Sequence, residues 1–175
     1  MVDDVPYRVG AGHDTHRLVA GRPLVLGGVR VEHVRGLAGH SDADVVLHAV
    51  TDALLGAAGL GDIGDAYPDD DPRWAEADST LFVTETLGKL NRAGWGVVNL
   101  DVTVFAQEPR LGPLKSAIRD SLAQMLGVSA ARVNVKAKTG EKVGHIGRAE
   151  AIACHAVVLL YSPRLAGGNA EKARG

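Results

Sequence analysis

The apolar pattern changes period along this chain, and that change limits what it can fold into. In Val98, Leu100, Val102 and Val104 every second residue is apolar, with Asn99, Asp101 and Thr103 between them. Val133, Val135 and Ala137 repeat the alternation between Asn134, Lys136 and Lys138. Successive side chains of an extended segment point to opposite faces, so both runs read as strands with one buried side. Tyr7 to Gly12 reads as a short strand ending in small residues, and Pro23 to Val31 as a strand bulged or bent at Gly27-Gly28. Ala151 to Tyr161, mostly apolar, reads as a central strand. Elsewhere the apolar residues recur at helical spacing. One helix is expected over about residues 42–58, with Ser41-Asp42 as its cap and Gly59 as its stop. A second is expected over 79–92, with Ser79 as cap and Gly94 as stop, and a third over 113–126, with Pro113 in its first turn and Gly127 after it. Interleaved strands and helices with short connections predict one α/β (α+β) domain, a mixed sheet packed on helices.

Composition narrows the function. A length of 175 residues suits a single domain with its own core, here over residues 1–163. One cysteine excludes a disulfide framework and a four-thiolate zinc site. A formal charge of −2, with Lys and Arg scattered, argues against a nucleic-acid partner. No run approaches the roughly 20 apolar residues that span a bilayer. Met1 to Pro6 is neither basic nor apolar, so no secretory signal is expected and a cytoplasmic location is. Residues 164–175 lose all periodicity and are expected to be a disordered tail. Histidine is the unusual component, with seven in the chain and five before residue 49.

Those histidines fall in suggestive places. Asp14 and His16, two apart on an extended segment, face one side, and a carboxylate oxygen with an imidazole nitrogen is an ordinary zinc pair. A turn carrying a surface histidine fits the same residues. Asp44, His48 and Asp52 lie four apart on the first helix and share a face that is otherwise apolar. Either His48 is a half-buried histidine bonded to Asp44 or Asp52, or it is a third ligand with one of those carboxylates behind it. His40-Ser41-Asp42 precedes that helix and reads as a capping turn or an anion contact. Gly59 to Gly64 matches a dinucleotide fingerprint only formally, because a helix precedes it where a strand is required. Lys136 to Arg148 reads as an exposed charged loop or a phosphate site in which Glu141 holds Mg²⁺.

Taken in order, these motifs resemble the 2-C-methyl-D-erythritol 2,4-cyclodiphosphate synthases. The residues that carry the resemblance are Gly12 to His16, Gly39 to Asp44 with His48, Thr51 to Ala57, Gly61 to Gly64 and Val133 to Ala137. It runs from about Tyr7 to Tyr161. The family's reaction converts 4-diphosphocytidyl-2-C-methyl-D-erythritol 2-phosphate to the cyclic diphosphate with release of CMP, in non-mevalonate isoprenoid biosynthesis. The resemblance implies that Asp14, His16 and His48 bind one Zn²⁺ per subunit and that Glu141 holds a second divalent ion, Mg²⁺ or Mn²⁺. His40 and Thr139 would stabilise the reacting phosphates. Asp14, His16, Ser41, Asp62, Ile63, Gly64 and the loop through Asp69 would meet the methylerythritol diphosphate. Ala106, Pro109, Arg110 and Leu111, with Ala137, Lys138 and Thr139, would form the cytidine pocket of a neighbouring subunit. Glu141, His145 and Arg148 would add contacts to the substrate. A ferredoxin-like sheet and a homotrimer with active sites at the subunit boundaries are expected. Three features depart from the commonest pattern: Lys138-Thr139-Gly140 replaces a threonine run, His145 stands at a usually aromatic position and Arg110 at a usual lysine.

Overall fold

The computed structural model describes residues 5–68 and 70–166. Its order is β1 (Tyr7–Ala20), β2 (Leu24–Leu26), β3 (Val29–Val31), β4 (Arg35–Leu37), α1 (Val45–Ala58), α2 (Ile63–Ala66), α3 (Thr80–Ala93), β5 (Gly96–Phe105), α4 (Lys115–Leu126), β6 (Val133–Lys138), α5 (Gly144–Gly147) and β7 (Ala151–Tyr161). Five strands form one sheet in the order β4-β1-β7-β5-β6, and β2 pairs with β3 in a separate hairpin. β1 pairs antiparallel with β7 from Tyr7 opposite Tyr161 to Arg17 opposite Ala151. β5 and β6 run parallel, and α4 supplies the crossover that parallel neighbours need. That parallel pair corrects the expected ferredoxin-like arrangement, whose sheet is antiparallel throughout.

One face of the sheet carries the helices. Leu100, Val102 and Val104 of β5 and Ile152, Cys154, Ala156, Val158 and Leu160 of β7 point into that core. Val98 falls out of the alternation because the β5–β7 register shifts between Val97 and Asn99, a bulge. α1 is buried on almost every side, against the sheet beneath and α3 beyond. Its approach to β1 is close: a Cβ on Gly10 would stand 2.0 Å from the Ala53 carbonyl oxygen, and one on Gly12 2.0 Å from that of Ala49. Only glycine lets the helix lie this near the strand, and the nearness brings His48 down to Asp14 and His16.

Three local expectations change. The bend at Gly27-Gly28 is a full reversal, so 23–31 is a hairpin rather than one strand, because both glycines have positive φ (63° and 75°) and make its two-residue turn. The cap of α1 is Asp44, not Ser41-Asp42. Its fully buried carboxylate accepts the N–H groups of Val46 and Leu47 at 3.0 and 3.1 Å, and those of Gly27 and Gly28 at 2.9 and 2.7 Å. Ser79 stands at the head of α3 but makes no capping bond. At the other end of the chain, residues 163–166 form a helical turn with Leu165 packed on the core, and 167–175 lie outside the described residues.

Candidate functional site

Asp14 and His16 sit on the helix-covered face of β1, and His48 reaches them from α1. Asp14 Oδ2 lies 2.9 Å from His16 Nε2 and 3.0 Å from His48 Nδ1. The two ring nitrogens are 3.0 Å apart. Burial alone would raise the Asp14 carboxyl, but hydrogen bonds and charge from His16 and His48 outweigh it and hold the group well below the usual carboxylate range. Among the described residues this is the one set of three or more His, Cys, Asp or Glu side chains whose donor atoms converge. One carboxylate oxygen and two imidazole nitrogens fit a divalent metal ion held by three protein ligands with a position left open.

The carboxylate behind His48 is neither of those the helix spacing suggested. Asp44 is committed to the hairpin turn and the α1 cap. Asp52 accepts the Ile63 N–H at 2.8 Å and so holds the 62–64 segment in place. Burial pushes the Asp52 carboxyl up, the Ile63 N–H works against it, and the nearby Asp62 and Asp14 charges add to the rise. His48 Nε2 instead faces the Ser79 hydroxyl at 3.0 Å and the Ser41 hydroxyl at 3.2 Å. Ser79 Oγ in turn donates to Asp42. Residues four apart share a helix face, but three different neighbours cover that face here, and spacing alone does not tell them apart.

Two cavities accompany the triad. The first, about 280 Å³, is lined by His16, His40, Ser41, His48, Ile63 and Gly64 on one side and by Tyr67, Trp74 and Phe82 on the other. The three aromatics pack on one another, with Tyr67 stacked on Phe82 at 4.7 Å between ring centres and Trp74 set edge-on to both. Asp62, which precedes the lining residue Ile63, stands in a reciprocal capping box with Asp65. Asp69 lies outside the described residues. The second cavity, about 550 Å³, is lined by Ala106, Arg110, Leu111, Ala137, Lys138 and Thr139 among others, and shares no lining residue with the first. It forms where β5 and β6 end side by side, held by the Ala106 N–H to the Lys138 carbonyl at 2.9 Å. Pro109 follows a cis peptide bond in the same loop.

Beyond β6 the chain turns sharply. Thr139 Oγ1 donates to Glu141, and the Lys142 N–H reaches Gln107 Oε1 at 3.3 Å. Gly140 has no room for a side chain, since a Cβ there would stand 2.3 Å from the Gly147 amide nitrogen. His145 is exposed on α5, and Arg148 is held by Glu150 through two bonds of 2.7 and 3.0 Å. The structure thus gathers His16, Ser41, His48, His40, Ile63 and Gly64 at one cavity and, at another, the expected cytidine residues except Pro109, which does not line it. Sequence reasoning missed the wall of Tyr67, Trp74 and Phe82, and took Ser79 and Asp42 for helix caps. Nothing local marks the Ser79 pairing, because its partners lie 31 and 37 residues away.

Fold and site together define a single-domain α+β protein in which an Asp-His-His set able to hold a metal ion opens on a cavity. The chain belongs to the YgbB family, whose model matches residues 7–161. It is 56% identical over 156 residues to the 2-C-methyl-D-erythritol 2,4-cyclodiphosphate synthase of Bordetella avium, covering 89% of this chain and 96% of that one. A solved 2C-methyl-D-erythritol-2,4-cyclodiphosphate synthase in its CDP-bound form superposes with a TM-score of 0.81 at 38% identity, covering 87% of this chain and 99% of that one. The bifunctional IspDF of Campylobacter jejuni gives a TM-score of 0.86 at 42% identity over 89% of this chain, which spans only 42% of that longer protein.

Proposed function

We propose that this chain cyclises 4-diphosphocytidyl-2-C-methyl-D-erythritol 2-phosphate in non-mevalonate isoprenoid biosynthesis, acting as a phosphorus–oxygen lyase. The observation that carries the proposal is the Asp14, His16 and His48 donor set at the cavity shared with His40 and residues 63–64. The names of the relatives support it. In the reaction the substrate's 2-phosphate oxygen bonds to the β-phosphorus, the bond from that phosphorus to the α–β bridging oxygen breaks, and CMP leaves with that oxygen. The substrate carries its own nucleophile, so no activated serine or cysteine is needed.

The protein's task is to fold a flexible polyanion until its ends meet. Correct positioning of such an intramolecular attack supplies roughly 7–11 kcal/mol. Ile63 and Gly64, held by Asp52, and Asp62 take the methylerythritol end, and the cavity at Ala106, Arg110 and Leu111 takes the cytosine and ribose. His40 and the Thr139 hydroxyl, with Arg148, face the crowded phosphates and offset the charge that builds up on them. Asp14, His16 and His48 would hold Zn²⁺, and the exposed Glu141 carboxylate, a hard oxygen donor, would hold Mg²⁺ or Mn²⁺; bound there, such ions supply Lewis acidity and a template for the phosphates.

The two cavities share no residue, which favours a site assembled between copies, as in a homotrimer. The sheet face turned away from the helices supports this: Tyr7, Val9 and Val157 stand 51%, 69% and 42% exposed on it. The reading is checked by the His48→Ala variant. It is expected to stay folded and trimeric by circular dichroism and sedimentation, and to release no CMP from the substrate under conditions where wild type does. An unfolded or monomeric variant, or one that still turns over, contradicts it.

A further inference from the structure

We propose that Asp42 and Ser79 are positioning residues of the metal centre, fixing the proton of His48 on Nε2 so that Nδ1 is free to bind the ion. The inference deepens the metal-site reading above and rests on it. The proton count is the argument. The Asp42 carboxylate accepts three donors: the Asp44 N–H at 3.1 Å, the Ser79 N–H at 3.3 Å and the Ser79 hydroxyl. A serine has one hydroxyl proton, and here it goes to Asp42. Toward His48 Nε2, 3.0 Å away, the Ser79 oxygen therefore acts as acceptor. The imidazole must supply the proton at Nε2; any second proton that Nδ1 shares with Asp14 in the metal-free chain is the one an ion displaces, so the Nδ1 lone pair is the one left to bind. That is the nitrogen facing Asp14 Oδ2 and His16 Nε2. Ser41 Oγ takes the Ala43 N–H at 3.1 Å and lies 3.4 Å from Ser79 Oγ, to which its own proton can turn, leaving a lone pair toward the same Nε2 at 3.2 Å.

Ser79 is placed for this and not for its helix. It is fully buried at the head of α3 with helical backbone angles and no capping bond. The capping is done by its neighbour Asp78, whose side chain accepts the Thr80 N–H at 2.8 Å. The Ser79 hydroxyl is thereby left to join a residue before α1 to a ligand on α1. A carboxylate–hydroxyl–imidazole chain of this kind holds the plane of a ligand ring and raises its basicity, and loss of such partners typically costs 10–100-fold in metal affinity.

The test is Zn²⁺ affinity by competition with a chromogenic chelator, with the Co²⁺ absorption spectrum as a report on ligand geometry. Wild type, Ser79→Ala, Ser79→Thr, Asp42→Asn and the double variant Ser79→Ala/Asp42→Asn are compared. Ser79→Ala and Asp42→Asn are each expected to weaken Zn²⁺ about 10–100-fold and to shift the Co²⁺ spectrum. Ser79→Thr, which keeps the hydroxyl, is expected to stay near wild type. The double variant is expected to be no weaker than the weaker single one, since both act through one N–H. Wild-type affinity in Ser79→Ala, or in Asp42→Asn while Ser79→Ala is impaired, overturns the proposal. If Ser79→Ala does not fold, the half-buried Asp42→Asn decides alone, and unchanged affinity there overturns it. CMP release by wild type on the same preparation tests the reaction separately. Metal loss through these variants in a chain that makes no CMP supports the positioning role and contradicts the cyclase reading.

Discussion

Asp14 shows how a single side chain ties the fold to its chemistry. Its carboxyl is held far below the ordinary 3.8 by the two histidines, against the upward pull of burial. The sign follows from linkage: a depressed carboxyl contributes stability that is full above the unfolded value and is lost as pH falls through the folded one. Metal-free wild type is therefore expected to lose stability as pH drops below about 4, where the unfolded carboxyl takes up protons. Asp14→Asn is expected to show a flatter curve in the same range, and equal slopes in urea titrations would contradict this origin. At this scale the sequence was informative where geometry is local. Two-residue spacing on a strand is enough to align Asp14 with His16. It does not rank Asp44, His48 and Asp52, which look alike along the helix and differ only in their neighbours: a glycine turn, the Asp14–His16 pair and the Ile63 amide. Ser79 was misread for the same reason, since a serine before a helix looks like a cap whatever its hydroxyl touches.

At the scale of elements, period-two alternation located β5 and β6, a mostly apolar run located β7, and helical spacing with glycine stops located the three long helices. Their ends were less legible. β1 continues to Ala20 because β7 and then β4 offer partners along its whole length, and no sequence signal shows where a partner stops. Gly27-Gly28 marks a bulge or bend in the sequence, and does not show a full hairpin reversal, because that turn is held by donating two N–H groups to Asp44, a contact with a distant helix. The loop from Thr139 to Arg148 is compact: Gly140 and Gly147 meet, and Glu141 and Lys142 have φ of 48° and 63°. None of its side chains belongs to the donor set of Asp14, His16 and His48. Glu141→Ala is accordingly expected to cut turnover severely while the zinc content, measured by atomic absorption, stays at the wild-type level. Loss of zinc would mean that the loop and the triad are one site.

At the scale of the whole molecule, the fold class was legible and the topology was not. Alternating strands and helices require a layered α+β domain, but which strand lies beside which depends on long-range pairing: nothing local shows that β7 inserts between β1 and β5. The separation of the two cavities likewise appears only in three dimensions. The exposed sheet face is where the proposed assembly is best probed. Val157 lies at its middle, opposite Ala11 on one side and Asp101 on the other. Val157→Lys is expected to sediment as a folded monomer without activity, whereas a persisting trimer would place the interface elsewhere. The most direct test of the reaction itself is turnover in ¹⁸O-labelled water, followed by mass spectrometry of the products. Cyclisation through the substrate's own phosphate predicts CMP and cyclic diphosphate that carry no solvent oxygen. A label in either product would show that water is the nucleophile, and that the site with its metal triad hydrolyses its substrate.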